Sequence, residues 1–179
     1  MPATMRNLIA DAFLALAEHK SVDKITVKDL VDHCGISRQT FYYHFKDIFE
    51  VIDWVIDRQI NRVLLKSLEQ TSPEKAIGVF VSSITGNREG IRRGLDSNKG
   101  AYIQKALYQS LQTYLETLAR KKGVSGAVDP RDQEVALQFC AGGIIGVLLV
   151  YCESNVVDEE RLSRQLACYM QAVNRILYG

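Results

Sequence analysis

Residues 25–45 read Ile25-Thr26-Val27-Lys28-Asp29-Leu30-Val31-Asp32-His33-Cys34-Gly35-Ile36-Ser37-Arg38-Gln39-Thr40-Phe41-Tyr42-Tyr43-His44-Phe45. They hold two helix starts around one sharp turn. Thr26 is placed to accept a hydrogen bond from the N–H of Asp29 while Asp29 reaches back, a shortened capping box, and Ile25 is placed to staple against Leu30. Ser37 repeats the device, with Ile36 and Phe41 as its staple. Gly35 follows Cys34 where the backbone must turn left-handed and a Cβ would be penalised. The spacing predicts a helix-turn-helix built from helices over 27–34 and 38–44.

On the second of these helices Phe41 and Phe45 lie four apart and face inward, so Arg38, Gln39, Tyr42 and Tyr43 fall on the opposite side. Two tyrosines on a solvated helix face are unusual, and a groove between phosphates explains them. The hydroxyl donates to a phosphate oxygen and the ring lies against sugar or a thymine methyl. Arg38 and Gln39, near the helix start, carry the donors and acceptors that read guanine and adenine edges. Tyrosine and arginine also dominate protein–protein hot spots, so a protein-interaction module remains the competing reading of this face. Salt separates the two, because only duplex binding weakens steeply as salt rises.

The remainder of the 179 residues carries the same helical period. Apolar residues recur at three and four, as in Leu8, Ala12, Leu16 and Ile48, Ile52, Val55, Ile56, Val63, and nothing alternates with period two. Pro73 and Pro130 follow Ser72 and Asp129, which reads as proline at the first position of two capped helices. The expectation is an all-α chain with helices over 3–20, 27–34, 38–44, 47–69, 74–86, 88–95, 98–122, 130–154 and 158–178. Four of the twelve glycines fall between 86 and 100, where helices are the least secure. Lys121 to Ala127 reads as a loop. Domain organisation follows as a helix-turn-helix DNA-binding domain over 1–47 and a helical domain for effector or partner binding and dimerisation over 48–179.

Several function classes are disfavoured. The amino terminus reaches Asp11 and Glu18 without the apolar stretch of a signal peptide, which points to the cytoplasm. The longest uncharged apolar run, Phe139 to Cys152, is 14 residues and short of a bilayer span. Cys34, Cys140, Cys152 and Cys168 lack ligand or bridge spacing, and His19, His33 and His44 are too dispersed for a metal site. No metal or other cofactor is expected. No acid pair, Cys/His pair or phosphate-cradling loop stands in a catalytic context, which argues against an enzyme; a helical ligand carrier with an incidental helical hairpin is a further alternative. With 22 basic and 21 acidic residues the net charge is +1. Residues 1–50 hold six Lys/Arg against seven Asp/Glu, so one copy neutralises few phosphates. Dimerisation doubles the contacts and turns the protein's two-fold into an inverted-repeat operator, with half-sites about one helical turn, ~34 Å, apart or a multiple of it.

Thr26-Val27-Lys28-Asp29-Leu30 followed by Gly35-Ile36-Ser37-Arg38-Gln39-Thr40-Phe41-Tyr42-Tyr43-His44-Phe45-Lys46-Asp47 resembles the DNA-binding signature of the TetR (tetracycline-repressor-like) family, and the chain length matches as well. The resemblance implies a homodimeric transcription regulator controlled by a small molecule or a protein partner. It implies that Thr26 and Tyr42 touch phosphate, that Lys28, Arg38, Gln39, Thr40 and Tyr43 face the major groove, and that His44 and Lys46 lie at the backbone. Ser37 belongs to the same set as the cap of the reading helix. The family often has a phosphate-gripping lysine where Ile48 stands; either Lys46 substitutes for it or operator affinity is modest. Gln138-Phe139-Cys140-Ala141-Gly142-Gly143-Ile144-Ile145-Gly146-Val147-Leu148 resembles the carboxy-terminal domain of a TetR branch common in Firmicutes. Within that branch the chain is similar to activators of dihydroxyacetone kinase operons, which pair with a protein coactivator.

Gly142, Gly143 and Gly146 leave room for another backbone to approach, and Leu162, Leu166, Met170, Val173 and Leu177 form an apolar stripe. Both features suit a dimer interface, the family's last two helices forming a four-helix bundle; internal packing is the alternative. An effector pocket is expected near Trp54, Phe80, Tyr102, Tyr108, Phe139 and Tyr151, any of which also suits plain core.

Overall fold

The computed structural model describes residues 4–121, 129–153 and 158–178, the side chains of Pro130, Asn174 and residues 176–178 excepted. Among them are nine α-helices: α1 (Met5–His19), α2 (Val27–Cys34), α3 (Arg38–His44), α4 (Ile48–Leu68), α5 (Pro73–Thr85), α6 (Arg88–Leu95), α7 (Gly100–Lys121), α8 (Pro130–Glu153) and α9 (Glu159–Tyr178). A single 3-10 turn, Val22–Lys24, precedes α2 and is too short to leave a period in the sequence. The chain is all-α, and the expected helices match these bounds within two residues. Beyond Lys121, the expected loop over 121–127 lies outside the described residues.

The starts are set by side-chain caps. Thr4 Oγ1 accepts the N–H of Asn7, Ser72 Oγ accepts that of Lys75 with Pro73 at the first helical position, and Asp129 Oδ1 accepts that of Arg131. Each such cap is worth about 1 kcal/mol.

The chain forms two compact units. The first runs to Gln59 and takes up Gly90–Ala106; the second holds Ile60–Glu89 and the chain from Leu107 onward. Chain order alone suggests a division at 47. Polar contacts account for the difference. Asp23 accepts the N–H of Asn98 at 3.0 Å and lies 3.6 Å from Lys99 Nζ. Arg93 donates to the Glu18 carbonyl at 3.0 Å, and Tyr102 donates to Asp53 at 2.6 Å.

The glycine-rich stretch does form helix. A Cβ on Gly100 would stand 1.9 Å from the Leu95 carbonyl oxygen, so only glycine allows α6 to turn so tightly into α7. Within the first unit, Ile9, Ala10 and Phe13 of α1, Leu30 of α2, Phe41 and Phe45, and Val51 of α4 are buried together as its apolar core.

In the second unit Tyr114 donates to Ser67 Oγ at 3.0 Å and Ser67 donates to the Ala76 carbonyl at 3.0 Å, so a buried polar pair is satisfied. Alongside it, the α9 stripe corrects an expectation. Leu162 and Leu166 are buried inside their own chain, where α9 lies against α5, with Ser163 3.7 Å from where a Gly78 Cβ would be. Met170 and Val173 line a cavity, and the Leu177 side chain lies outside the described residues. An apolar stripe shows that a face is covered and not by what; here the cover is largely α5.

The outward face belongs to α8. Val135, Phe139 and Val150 are exposed, Phe139 to 71%, and Gly142, Gly143 and Gly146 are exposed on the same side. Beyond the neighbouring residues and backbone of α8 itself, no described atom lies within 4 Å of a Cβ built on Gly143 or Gly146, so packing against the other described elements does not require glycine there. Residues Arg131–Glu153 are long and apolar enough, by length and composition alone, to cross a membrane. The 14-residue run had suggested otherwise, because Val135, Ala136 and Leu137 extend it past Gln138.

Candidate nucleic-acid interface

The helix-turn-helix is held as its residues dictate. Thr26 Oγ1 accepts the Asp29 N–H at 3.2 Å, and Asp29 Oδ2 accepts the Thr26 N–H at 2.7 Å, completing the capping box. Gly35 takes φ 64° and ψ 34°, the left-handed conformation, while the Ile36 N–H reaches back to the Val31 carbonyl at 3.0 Å. Ser37 Oγ then accepts the Thr40 N–H at 3.0 Å and starts α3. Phe41 and Phe45 are buried, with ring centroids 6.0 Å apart.

This anchoring turns the other face of α3 outward. Ser37, Arg38, Gln39, Tyr42 and Tyr43 are exposed, Tyr42 to 58% and Tyr43 to 85%. Thr40 and His44 are half-buried, and the Tyr43 and His44 rings meet edge to face at 4.9 Å. Lys28 at the start of α2 and Lys46 after α3 are exposed. The side chains of Arg38, Gln39, Lys28 and Lys46 have no hydrogen-bond or ion-pair partner among the described residues. Thr26 Oγ1 also donates to Asp29 Oδ2 at 2.7 Å, a bond that its hydroxyl would exchange on meeting a phosphate oxygen.

Residues without a local sequence signal hold this surface in place. Arg6 donates to Glu50 Oε1 at 2.7 Å while its guanidinium lies 4.6 Å from the Phe45 ring centroid and 4.2 Å from that of Trp54. The other Glu50 oxygen accepts the Lys46 N–H at 2.7 Å, and Asp47 caps α4 through the Glu50 N–H at 3.0 Å. The junction that carries Lys46 is thereby tied to α1. Lys20 donates to Asp29 at 2.7 Å. That bond first, and then those from Thr26, hold the Asp29 carboxyl well below the usual carboxylate range.

A depressed folded-state pKa stabilises the fold above the unfolded value, and the contribution is lost as pH falls through the folded one. The reading head should therefore lose stability below about pH 4, and Asp29→Asn should flatten that acid limb while lowering the pH 7 denaturation midpoint. Urea titrations at pH 7 and pH 3, followed by Trp54 fluorescence, measure both; parallel curves for variant and wild type would contradict the assignment.

The expected effector residues do not converge. Trp54 donates to Asn7 Oδ1, and Tyr102, in the first unit with it, is pushed up to about 12 by burial and by its bond to Asp53. In the second unit Phe80 packs on Tyr114 at 5.4 Å, Tyr108 donates to the Gln138 carbonyl, Tyr151 is half-buried and Phe139 is exposed. None of the six lines the cavity of about 400 Å³ in the second unit. Large aromatic rings mark core and surface, whereas the cavity wall is built from non-aromatic residues at the α4–α5 turn and on α5, α7, α8 and α9.

A three-helix head with a capped, outward-facing α3 is a helix-turn-helix fold of the DNA-binding type. Residues 9–52 match the family model described as bacterial regulatory proteins, tetR family. Over nearly the whole chain the fold is similar to solved structures. One is the dihydroxyacetone kinase operon activator DhaS, at TM-score 0.69 and 15% identity, covering 97% of this chain and 98% of that one. Another is Lin0861 from Listeria innocua, at TM-score 0.69 and 20% identity over 98% and 94%. A third is RolR in complex with resorcinol, at TM-score 0.56 and 18% identity over 97% and 87%. Residues 9–52 thus carry the helix-turn-helix of the tetR family of bacterial regulatory proteins, and the chain as a whole shares the fold of these solved structures.

Proposed function

We propose that the chain works as a cytoplasmic homodimer that reads an inverted-repeat operator through α3 and answers to an effector engaging its helical carboxy-terminal part. Residues 1–47 do the reading and residues 48–179 the sensing and pairing. The observation that carries this reading is the row of exposed polar side chains on α3. The Arg38 and Gln39 side chains have no partner among the described residues, and Tyr42 and Tyr43 present ring and hydroxyl to solvent. Arg38, Gln39, Thr40 and Tyr43 face the major groove with Lys28, while Tyr42, His44 and Lys46 meet the backbone. Ser37 fixes the helix start, and Thr26 touches phosphate by exchanging its hydroxyl's bond to Asp29. Pairing is supported by the exposed apolar and glycine face of α8, which a second copy covers.

Control by a small molecule is the favoured form: a cavity exists in the second unit, and the similar RolR is described with resorcinol. Control by a protein coactivator, as in activators of dihydroxyacetone kinase operons, has the shared fold of DhaS as its support.

Selection of duplexes from a random pool tests the reading. Wild type should enrich a palindrome. Arg38→Ala should lose about 1–3 kcal/mol and the preference at the bases that this side chain reads, whereas Tyr42→Ala should weaken binding evenly across sequences. Equal enrichment by wild type and Arg38→Ala would remove that side chain from the readout. Salt-insensitive capture of a protein, with no duplex bound, would favour the interaction module.

A further inference from the structure

The cavity in the second unit is walled by the α4–α5 turn and the first turns of α5, the carboxy-terminal part of α7, the amino-terminal part of α8 and the carboxy-terminal part of α9. At about 400 Å³ it falls within the ~300–1,000 Å³ range of small-molecule sites. Its described lining is mostly aliphatic, with Leu115, Leu118 and Met170 prominent, and holds no Asp, Glu, Lys, Arg or His. The half-buried Cys140 thiol is pushed up by burial, so this wall also stays uncharged at neutral pH. A charged ligand entering here would lose hydration without a counter-charge among the described residues. The Thr71 and Ser72 hydroxyls lie at one edge of the lining, Ser72 being taken up as the α5 cap, and two carboxamides supply the rest of the polarity. Gln133 on α8 and Gln171 on α9 line the cavity, and their carboxamides make no hydrogen bond among the described residues. A carboxamide both donates and accepts, so it suits a hydroxyl or carbonyl group.

We propose that this cavity binds a small, uncharged, mainly apolar molecule bearing one hydroxyl or carbonyl group, held by its hydrocarbon part against α7 and α9 and oriented by Gln133 and Gln171. This rests on the reading of the second unit as the sensing part and gives that part a ligand class.

The test uses the full chain, Nile red as probe, and 1-decanol, decanoate and decylammonium as competitors. Wild type should bind the dye, with 1-decanol displacing it at a concentration at least tenfold lower than either charged analogue. Ala136→Trp, which places an indole in the cavity, should weaken dye binding at least tenfold. Independently of any variant, 1-decanol should slow N-ethylmaleimide labelling of Cys140, followed by peptide mass, at least fivefold. Equal displacement by decanoate, undiminished dye binding in Ala136→Trp, or unprotected Cys140 would each overturn the proposal. Palindrome selection on the same protein without ligand keeps the two ideas apart. A palindrome enriched without decanol binding removes the ligand class alone, and decanol binding without an enriched palindrome removes the regulator reading alone.

Discussion

Phe41→Ala should cost the reading head about 3–5 kcal/mol, the usual loss for a phenylalanine cut back to alanine in a packed core. Phe41 is fully buried, its ring 5.4 Å from that of Tyr42 and 6.0 Å from that of Phe45. It is the only buried residue of α3. A seven-residue helix is far below the length that is stable alone, so tertiary packing must hold α3 in place. The chain's one tryptophan, Trp54, lies in the same unit and reports its unfolding by fluorescence. The urea midpoint of that signal should fall sharply in Phe41→Ala, and duplex binding should go with it. Tyr43→Ala offers the contrast, since that side chain is 85% exposed and its removal should change stability by less than about 0.5 kcal/mol. A midpoint unmoved by Phe41→Ala would mean that α3 is held by something other than its apolar face.

The helix-turn-helix was legible because each of its parts is local. A cap reads three residues ahead, a staple five, and Gly35 needs only its own φ. The same locality explains what was missed. Arg6 and Glu50 are 44 residues apart and Lys20 and Asp29 nine, and no periodicity marks either pair, yet they position Lys46 and the capping box. Segment 90–106 joins the first unit through Asp23, Glu18 and Asp53, contacts that chain order conceals. The aromatic set was misjudged for a related reason. Ring size shows that a residue is usually buried, but whether it borders a void depends on four elements meeting, and the void is lined by residues such as Ala76, Leu118 and Ala136.

The α8 surface bears the second large effect. Phe139→Asp should convert a dimer to a monomer in sedimentation experiments while the Trp54 unfolding midpoint stays where it was, because Phe139 is exposed and belongs to the other unit. Val135, Phe139, Gly142, Gly146 and Val150 fall on one side of the helix, and burying such apolar area contributes about 25 cal/mol per Å². A carboxylate at its centre would have to be desolvated opposite its own copy, a repulsion as well as a loss of contact. The consequence for DNA follows from linkage of two heads. A joined pair exceeds one head by about 100-fold or more in affinity without any new contact, and the salt dependence of binding scales with the number of phosphates met. Phase by phase of the operator, Phe139→Asp should therefore lower palindrome affinity by that factor and about halve the slope against salt, leaving the bases preferred in each half-site unchanged. A variant that stays dimeric with full operator affinity would place the pairing surface elsewhere, and a wild type that is monomeric in water but taken up by lipid vesicles would assign the apolar length of α8 to a bilayer.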